Sequence, residues 1–289
     1  MEIVEEKNVT RNTEEKSKHT IFGISIWRIL AYFIIYSFAG YVIETIFGII
    51  TKGTWESRQS FLYGPFCAIY GLGAVIMIVS LQYFNKNNNT LFWGGFIIGS
   101  ITEYIISLIG EMIFNTIWWD YSNMPLNLNG RICVFFSIFW GLLAIYLMTY
   151  VNPKVDKLIN KMKEKISTKK LKIITTIVIV FLFIDCILTG IALKFFVVRM
   201  VYNNNLNVYE KEKYIKQYSE IYSNTELVEF INKFWSDEKM IKTFPNLKIQ
   251  EVDNRIVYFD SLLPNIQPYY YKFDQTWRQE LSERIKGNY

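Results

Sequence analysis

Histidine is nearly absent from this 289-residue chain: the single one, His19, lies in a polar N-terminal stretch. A histidine-ligated metal or a histidine general base therefore has no place in the apolar body of the sequence. Cys–His and Ser–His nucleophilic pairs have nowhere to form there either. Cysteine is scarce too. Cys67, Cys133 and Cys186 fall inside apolar runs at no metal-site spacing, and all three are expected to be buried thiols. No G-x-x-x-x-G-K-[ST] run occurs, which excludes a phosphate-binding loop of the chain's own. No cofactor is implied. The first 20 residues carry no small-residue cleavage site, and the first apolar run is longer than a signal-peptide core, so it is expected to persist as an uncleaved helix.

What the chain has instead is apolar length. It is 51% hydrophobic and 17% aromatic, and these residues are gathered into runs. Crossing roughly 30 Å of hydrocarbon takes about 20 helical residues, and five stretches reach that length: Ile29–Ile50, Phe61–Leu81, Leu91–Phe114, Ile132–Val151 and Ile173–Leu193. Gly64, Pro65, Gly71 and Gly73 interrupt the second, where Pro65 is tolerable if it sits in the first helical turn, its missing N–H then an orphan anyway.

The net charge of +5 suggests an anionic partner, but its distribution points to a bilayer and not to nucleic acid. Lys7, Arg11, Lys16, Lys18 and Arg28 precede the first span, Lys86 follows the second, and eight lysines from Lys154 to Lys172 separate the fourth from the fifth. The alternate loops hold only Lys52, Arg58 and Arg131. Basic residues concentrate on the cytoplasmic side, so the N-terminus is expected inside and the C-terminal region outside, in a bacterial cell membrane. The expected fold class is an all-α polytopic membrane protein with about five transmembrane helices and a small α+β extracytoplasmic module. The expected domains are a polar tail at 1–28, a transmembrane domain at 29–199 and the outer module at 200–289.

Carboxyl groups inside the spans are the main functional signal. Gly40, Glu44 and Gly48 share one helix face, and small residues at that spacing admit a neighbouring helix. Glu44 is thereby expected to point into the bundle, roughly 7 Å to the outer side of its helix centre. Glu103, Ser107 and Glu111 share a face of the third span, and Asp185 is almost central in the fifth. A carboxylate at bilayer centre costs about 2.5–3.5 kcal/mol on insertion scales. Together these residues read as a polar track for protons, cations or a substrate's positive group. Alternatively, each accepts hydrogen bonds from Tyr, Trp or Ser on other helices.

The outer loop between the third and fourth spans carries Trp118, Trp119, Asp120, Asn127, Asn129 and Arg131. Its aromatics suit an interfacial belt. The polar set and the Asn129-Gly130 turn signal favour a folded cap over the track. Arg131 at a helix N-terminus opposes the local dipole, so an acid partner is expected in Asp120 or Glu111. Between the fourth and fifth spans, Asn152–Lys172 reads as an amphipathic cytoplasmic helix on anionic lipid or, alternatively, as a docking helix that presents Lys154, Lys157, Lys161 and Lys165 to a cytoplasmic partner. Lys194 and Arg199 are expected to snorkel to the interface. Beyond residue 200 the periodicity predicts helices over Tyr209–Tyr222 and Thr225–Trp235, with Thr225 as cap, a hairpin about Asp253-Asn254 and a last helix over Asp274–Lys286.

FLYGPFCAIYG at Phe61–Gly71, WWDYS at Trp118–Ser122 and NLNGRIC at Asn127–Cys133 resemble the bacterial membrane family of ABC-transporter permeases of type IV, CmpB-like. The G-x-x-x-E stretch ending at Glu44, the Glu103-Tyr104 pair and Asn152-Pro153 belong to the same likeness, which covers roughly residues 29–199. TFPNLKI at Thr243–Ile249 and QPYYYKF at Gln267–Phe273 look similar to the outer tails of some members. Tyr41 and Ala68 depart from the pattern, standing where Trp and Pro are usual. The resemblance implies a polytopic permease-like component that works with a separate ATPase.

Three functions follow for comparison. The first is a transport component without its own motor, energised by a cytoplasmic ATPase subunit. Another is a non-catalytic scaffold or sensor using residues 200–289. The third is a membrane enzyme acting on a lipid-like substrate, with Glu44, Glu103 or Asp120 as acid or base. Substrate, direction and oligomeric state have no sequence signature.

Overall fold

The structure is a computed structural model that describes residues 20–83, 87–114, 117 and 119–274. A tight hairpin, β1 (Thr20–Ile21) and β2 (Ile24–Ser25), leads into α1 (Ile26–Lys52). α1 stops at Gly53, whose left-handed φ of 69° lets its N–H bond the Ile49 carbonyl 3.0 Å away. α2 (Ala68–Leu81) and α3 (Asn88–Phe114) follow, then α4 (Val134–Tyr146) and α5 (Asn152–Lys165). α6 (Thr168–Asn203) starts at Ser167, whose side chain accepts the Lys170 N–H. Among the described residues, four helical runs are long and apolar enough to cross a membrane: α1, α3, the continuous α4–α5 and α6.

α4 and α5 join through a π-helical turn, Leu147–Val151, immediately before Asn152-Pro153. Proline lacks the N–H and its ring crowds the carbonyl four residues back, and a widened turn accommodates both. The lysine-rich segment is therefore a continuation of the fourth apolar run, ending at Lys165, and not the separate helix expected over Asn152–Lys172. Its apolar side turns back onto the start of α1: Ile159 is buried in one cluster with Tyr32 and Tyr36. Asp156 pairs with Arg28 at 2.8 Å and accepts from the Tyr32 hydroxyl, while Tyr36 donates to Asn152.

The second apolar stretch behaves differently. α2 has 14 residues, about 21 Å of helix, too short to span the hydrocarbon alone. Pro65 lies ahead of it rather than in its first turn, in an irregular segment from Ser57 to Cys67. That segment packs against the middle of α1 and α6, where unpaired backbone groups are costly. Its donors are accordingly matched: Cys67 N–H to Ser37 O at 2.8 Å, Leu62 N–H to Thr189 Oγ1 at 2.9 Å and Tyr63 N–H to Asp185 Oδ2 at 3.1 Å. Glycines permit the approach, since a Cβ on Gly40 would come within 2.3 Å of Tyr70 and one on Gly71 within 2.0 Å of Ser37 Oγ. α3 and α4 meet the same way through Gly95, Gly99 and Gly141.

At 36 residues, α6 is about 54 Å long, so one end stands well clear of the hydrocarbon. Phe196, Val197, Met200 and Val201 on that end are buried with Ile231, Met240, Ile249 and Phe259. Those partners come from α8 (Thr225–Phe234), α9 (Asp237–Thr243) and the antiparallel pair β6 (Lys248–Gln250) and β7 (Ile256–Tyr258), Phe259 following β7 directly, with α7 (Lys211–Tyr222) alongside. Two sequence readings change here. Arg199 does not snorkel: it is 6% exposed, ion-paired with Asp237 and bonded to the Trp235 carbonyl, because the module folds over this helix end. Asn224, not Thr225, caps α8, accepting the Leu227 N–H at 3.0 Å. Cys67 and Cys133 are buried, whereas Cys186 is exposed on the outer side of α6. The helix expected over Asp274–Lys286 lies outside the described residues beyond Asp274.

Candidate functional site

Glu44 is half-buried and accepts a short hydrogen bond from the Tyr70 hydroxyl of α2. The face it shares with Gly40 and Gly48 meets Tyr70 and Arg58, a close fit that larger residues would block. Glu103, 6% exposed, accepts from the Tyr121 hydroxyl and the Trp140 indole N–H, each at 2.9 Å. Tyr121 reaches down from the outer loop and stacks on Phe136 at 4.6 Å. Burial first, then the charges of Glu103 and Glu44, push its phenol above the usual range. Glu44 and Glu103 thus each accept from a tyrosine hydroxyl, and Tyr121 lies near enough to both for their charges to act on it.

Further along α3, Arg131 Nη1 lies 2.5 Å from Glu111 and 3.2 Å from Ser107 Oγ, with its guanidinium 6.0 Å from the centre of the Tyr104 ring. Glu111 is therefore the acid that Arg131 finds. Asp120 does something else, accepting the Ser122 N–H at 2.9 Å and hydroxyl at 2.6 Å. What burial it has opposes its charge, but the Ser122 bonds and nearby Lys248 outweigh this and hold its carboxyl below the ordinary range. Asp185 stands apart from the other acids. It is 1% exposed and accepts from the Tyr63 N–H and the Thr189 hydroxyl, beside the irregular segment.

The loop between α3 and α4 folds into a compact cap. β4 (Asn127–Leu128) and β5 (Ile132–Cys133) pair antiparallel around a turn in which Asn129 and Gly130 both have positive φ, 54° and 66°. Asn-Gly is suited to such a turn. Asn127 donates to the Ser122 and Met124 carbonyls and accepts the Gly130 N–H, Asn129 donates to Tyr104, and the Trp119 indole donates to the Arg131 carbonyl. Trp118 lies outside the described residues. Ile117 N–H bonds the Lys248 carbonyl at 2.9 Å, tying the cap to β6. At the opposite end of the bundle, Lys154, Lys157, Lys161 and Lys165 are exposed along α5.

Tyr70, Trp140 and Thr189 were not singled out by sequence, and Tyr121 counted only among the loop aromatics suited to an interfacial belt. Tyr70 and Tyr121 do lie within FLYGPFCAIYG and WWDYS, the segments that carried the resemblance. Trp140 and Thr189 have no comparable signal, because their roles come from which helix they face.

Residues 31–190 match the family described as Putative ABC-transporter type IV, the CmpB family. No curated protein and no solved structure matches the chain. The matched stretch holds Glu44, Glu103, the cap and Asp185, and takes in more than half of the 289 residues. With four membrane-capable helices among the described residues, this chain is a multi-pass membrane transport protein belonging to the CmpB-type ABC-transporter family.

Proposed function

We propose that the chain is the membrane-embedded part of a transporter whose passage runs by Glu44 and Glu103 and whose energy comes from a separate cytoplasmic ATPase. The carrying observation is that each of these acids accepts from a tyrosine hydroxyl, Glu44 from Tyr70 on the short α2 that follows the irregular segment and Glu103 from Tyr121. Interrupted helices at substrate sites are a recurring device in transporters. In this reading the irregular segment and α2 together make one of five crossings. Arg28 with Asp156, and Gln82 with the Phe22 carbonyl, gather at the cytoplasmic end. The cap and the C-terminal module gather at the outer end through Ile117 and Lys248. Ser107, Glu111 and Arg131 extend the track towards the cap, and Lys154, Lys157, Lys161 and Lys165 offer the ATPase a docking face.

Gentle solubilisation of the tagged chain from its native membrane tests the partner. A stoichiometric nucleotide-binding subunit is expected, and it should be lost when the four lysines are changed to Glu. Flux energised by that subunit should then fall sharply in E44Q and E103Q while membrane insertion persists. Full flux in both variants, or no ATPase at all, overturns the proposal.

One observation favours a second reading, a non-catalytic scaffold or sensor. Glu44, Glu103, Glu111 and Asp185 each already have a hydrogen-bonding or ionic partner within the chain. On that reading the neutralised acids cost stability alone, and function follows residues 200–289.

A further inference from the structure

The two-stranded ribbon at the end of α1 has a composition that the transport reading leaves unused. β3 (Thr54–Glu56) begins directly after Gly53 and pairs antiparallel with β8 (Tyr269–Lys272), so the far C-terminal part of the chain is bound to the exit of α1. The register shifts between Trp55 and Glu56, which pair with Tyr271 and Tyr269 respectively, leaving Tyr270 as the extra residue of a bulge. A bulge re-aims side chains. Here Trp55 pairs with Tyr271 and also meets the Tyr270 ring at 6.0 Å, while Tyr271 meets Phe273 at 4.8 Å. Four aromatic rings are thus gathered together, and all are exposed: Trp55 44%, Tyr270 54%, Tyr271 56% and Phe273 38%.

An exposed cluster of this kind requires a cover. The neighbouring surface indicates which one. In its last three turns α1 exposes Ile43, Ile46, Phe47 and Ile50, so the ribbon starts where a lipid-facing helix ends. Trp and Tyr, with apolar bodies and polar tips, concentrate at the lipid headgroup level. Lys272, at the end of the ribbon, is exposed and suits anionic headgroups, whereas Lys52 before its start is paired with Glu56 at 3.1 Å.

We infer that the Trp55–Tyr270–Tyr271–Phe273 face of this ribbon lies in the headgroup region of the leaflet at the C-terminal end of α1, anchoring the C-terminal module to the lipid surface. The module is then held at two places, by α6 through its core and by the ribbon through the bilayer.

The test uses the full chain with Cys186→Ser, leaving the buried Cys67 and Cys133, and one added cysteine at Tyr271→Cys or, as a control, Lys211→Cys. Lys211 contacts Asn205 just past the far end of α6. Each variant is labelled with an environment-sensitive fluorophore and reconstituted into phosphatidylcholine–phosphatidylglycerol vesicles containing lipids spin-labelled near the headgroup. Quenching at position 271 is expected to be several-fold stronger than at 211. Equal, weak quenching at both positions would overturn the inference by placing the ribbon in water. Ready disulfide formation between unlabelled 271 cysteines of two chains under mild oxidation would also overturn it, because a second copy of the chain would then cover the face.

Discussion

Removing the Asp185 side chain should loosen the irregular segment more than it disturbs α6. Asp185 Oδ2 accepts the Tyr63 N–H at 3.1 Å, and the neighbouring Thr189 Oγ1 accepts the Leu62 N–H at 2.9 Å. Both acceptors are buried, at 1% and 4% exposure, so no water replaces them in the folded state. An orphaned buried donor costs about 1–3 kcal/mol. If the segment opens locally, that cost is roughly a 5- to 150-fold rise in its open population. Cys67 ends the segment, is buried, and is held by its N–H to Ser37 O. Its rate of maleimide labelling therefore reads the opening directly, in a Cys186→Ser background with Cys133 also buried. D185A and the nearly isosteric T189V should each accelerate labelling within that range, whereas D185N and T189S, which keep an acceptor oxygen, should stay closer to the parent. Cys67 labelling no faster in D185A than in D185N would refute the idea that Asp185 serves as the acceptor for this broken backbone.

Other contacts give sharper contrasts. A Cβ at Gly40 would press within 2.3 Å of Tyr70, while one at Gly73 meets nothing within 4 Å. G40A should lower thermal stability in detergent by about 1–3 kcal/mol, with G73A neutral or slightly stabilising. Arg131→Ala strands Glu111, so R131A combined with E111A should cost less than the two single changes summed. The coupling expected in a double-mutant thermal cycle is about 0.5–3 kcal/mol, and strict additivity would deny the pair. Asp120 has a lowered carboxyl value, so its contribution to the cap is fully present above the ordinary range near pH 4 and is lost as pH falls through the lower folded value. Amide exchange at Tyr121, whose N–H bonds the Gly130 carbonyl at 2.8 Å, should show this acid loosening in the parent and not in D120N.

The sequence by itself determined the features that depend on neighbours along the chain. Apolar length located four membrane-capable helices, except that the fourth runs on to Lys165 and α6 to Asn203. Asn129-Gly130 located the cap turn and Asp253-Asn254 the β6–β7 hairpin. The Gly40–Glu44–Gly48 face announced a close helix contact without naming the helix. Only the tertiary structure decided who meets whom. It gave Glu44 to Tyr70 and Glu103 to Tyr121 and Trp140, chose Glu111 over Asp120 for Arg131, and folded Arg199 under Asp237. It also shortened the second apolar run to a 14-residue helix, because Asp185 and Thr189 on a distant helix supply acceptors that its broken backbone lacks locally. Hydrophobic periodicity is local, so a single stretch of sequence reveals it. A buried polar group is satisfied by whatever the folded chain brings within hydrogen-bonding reach, and that depends on all the helices at once.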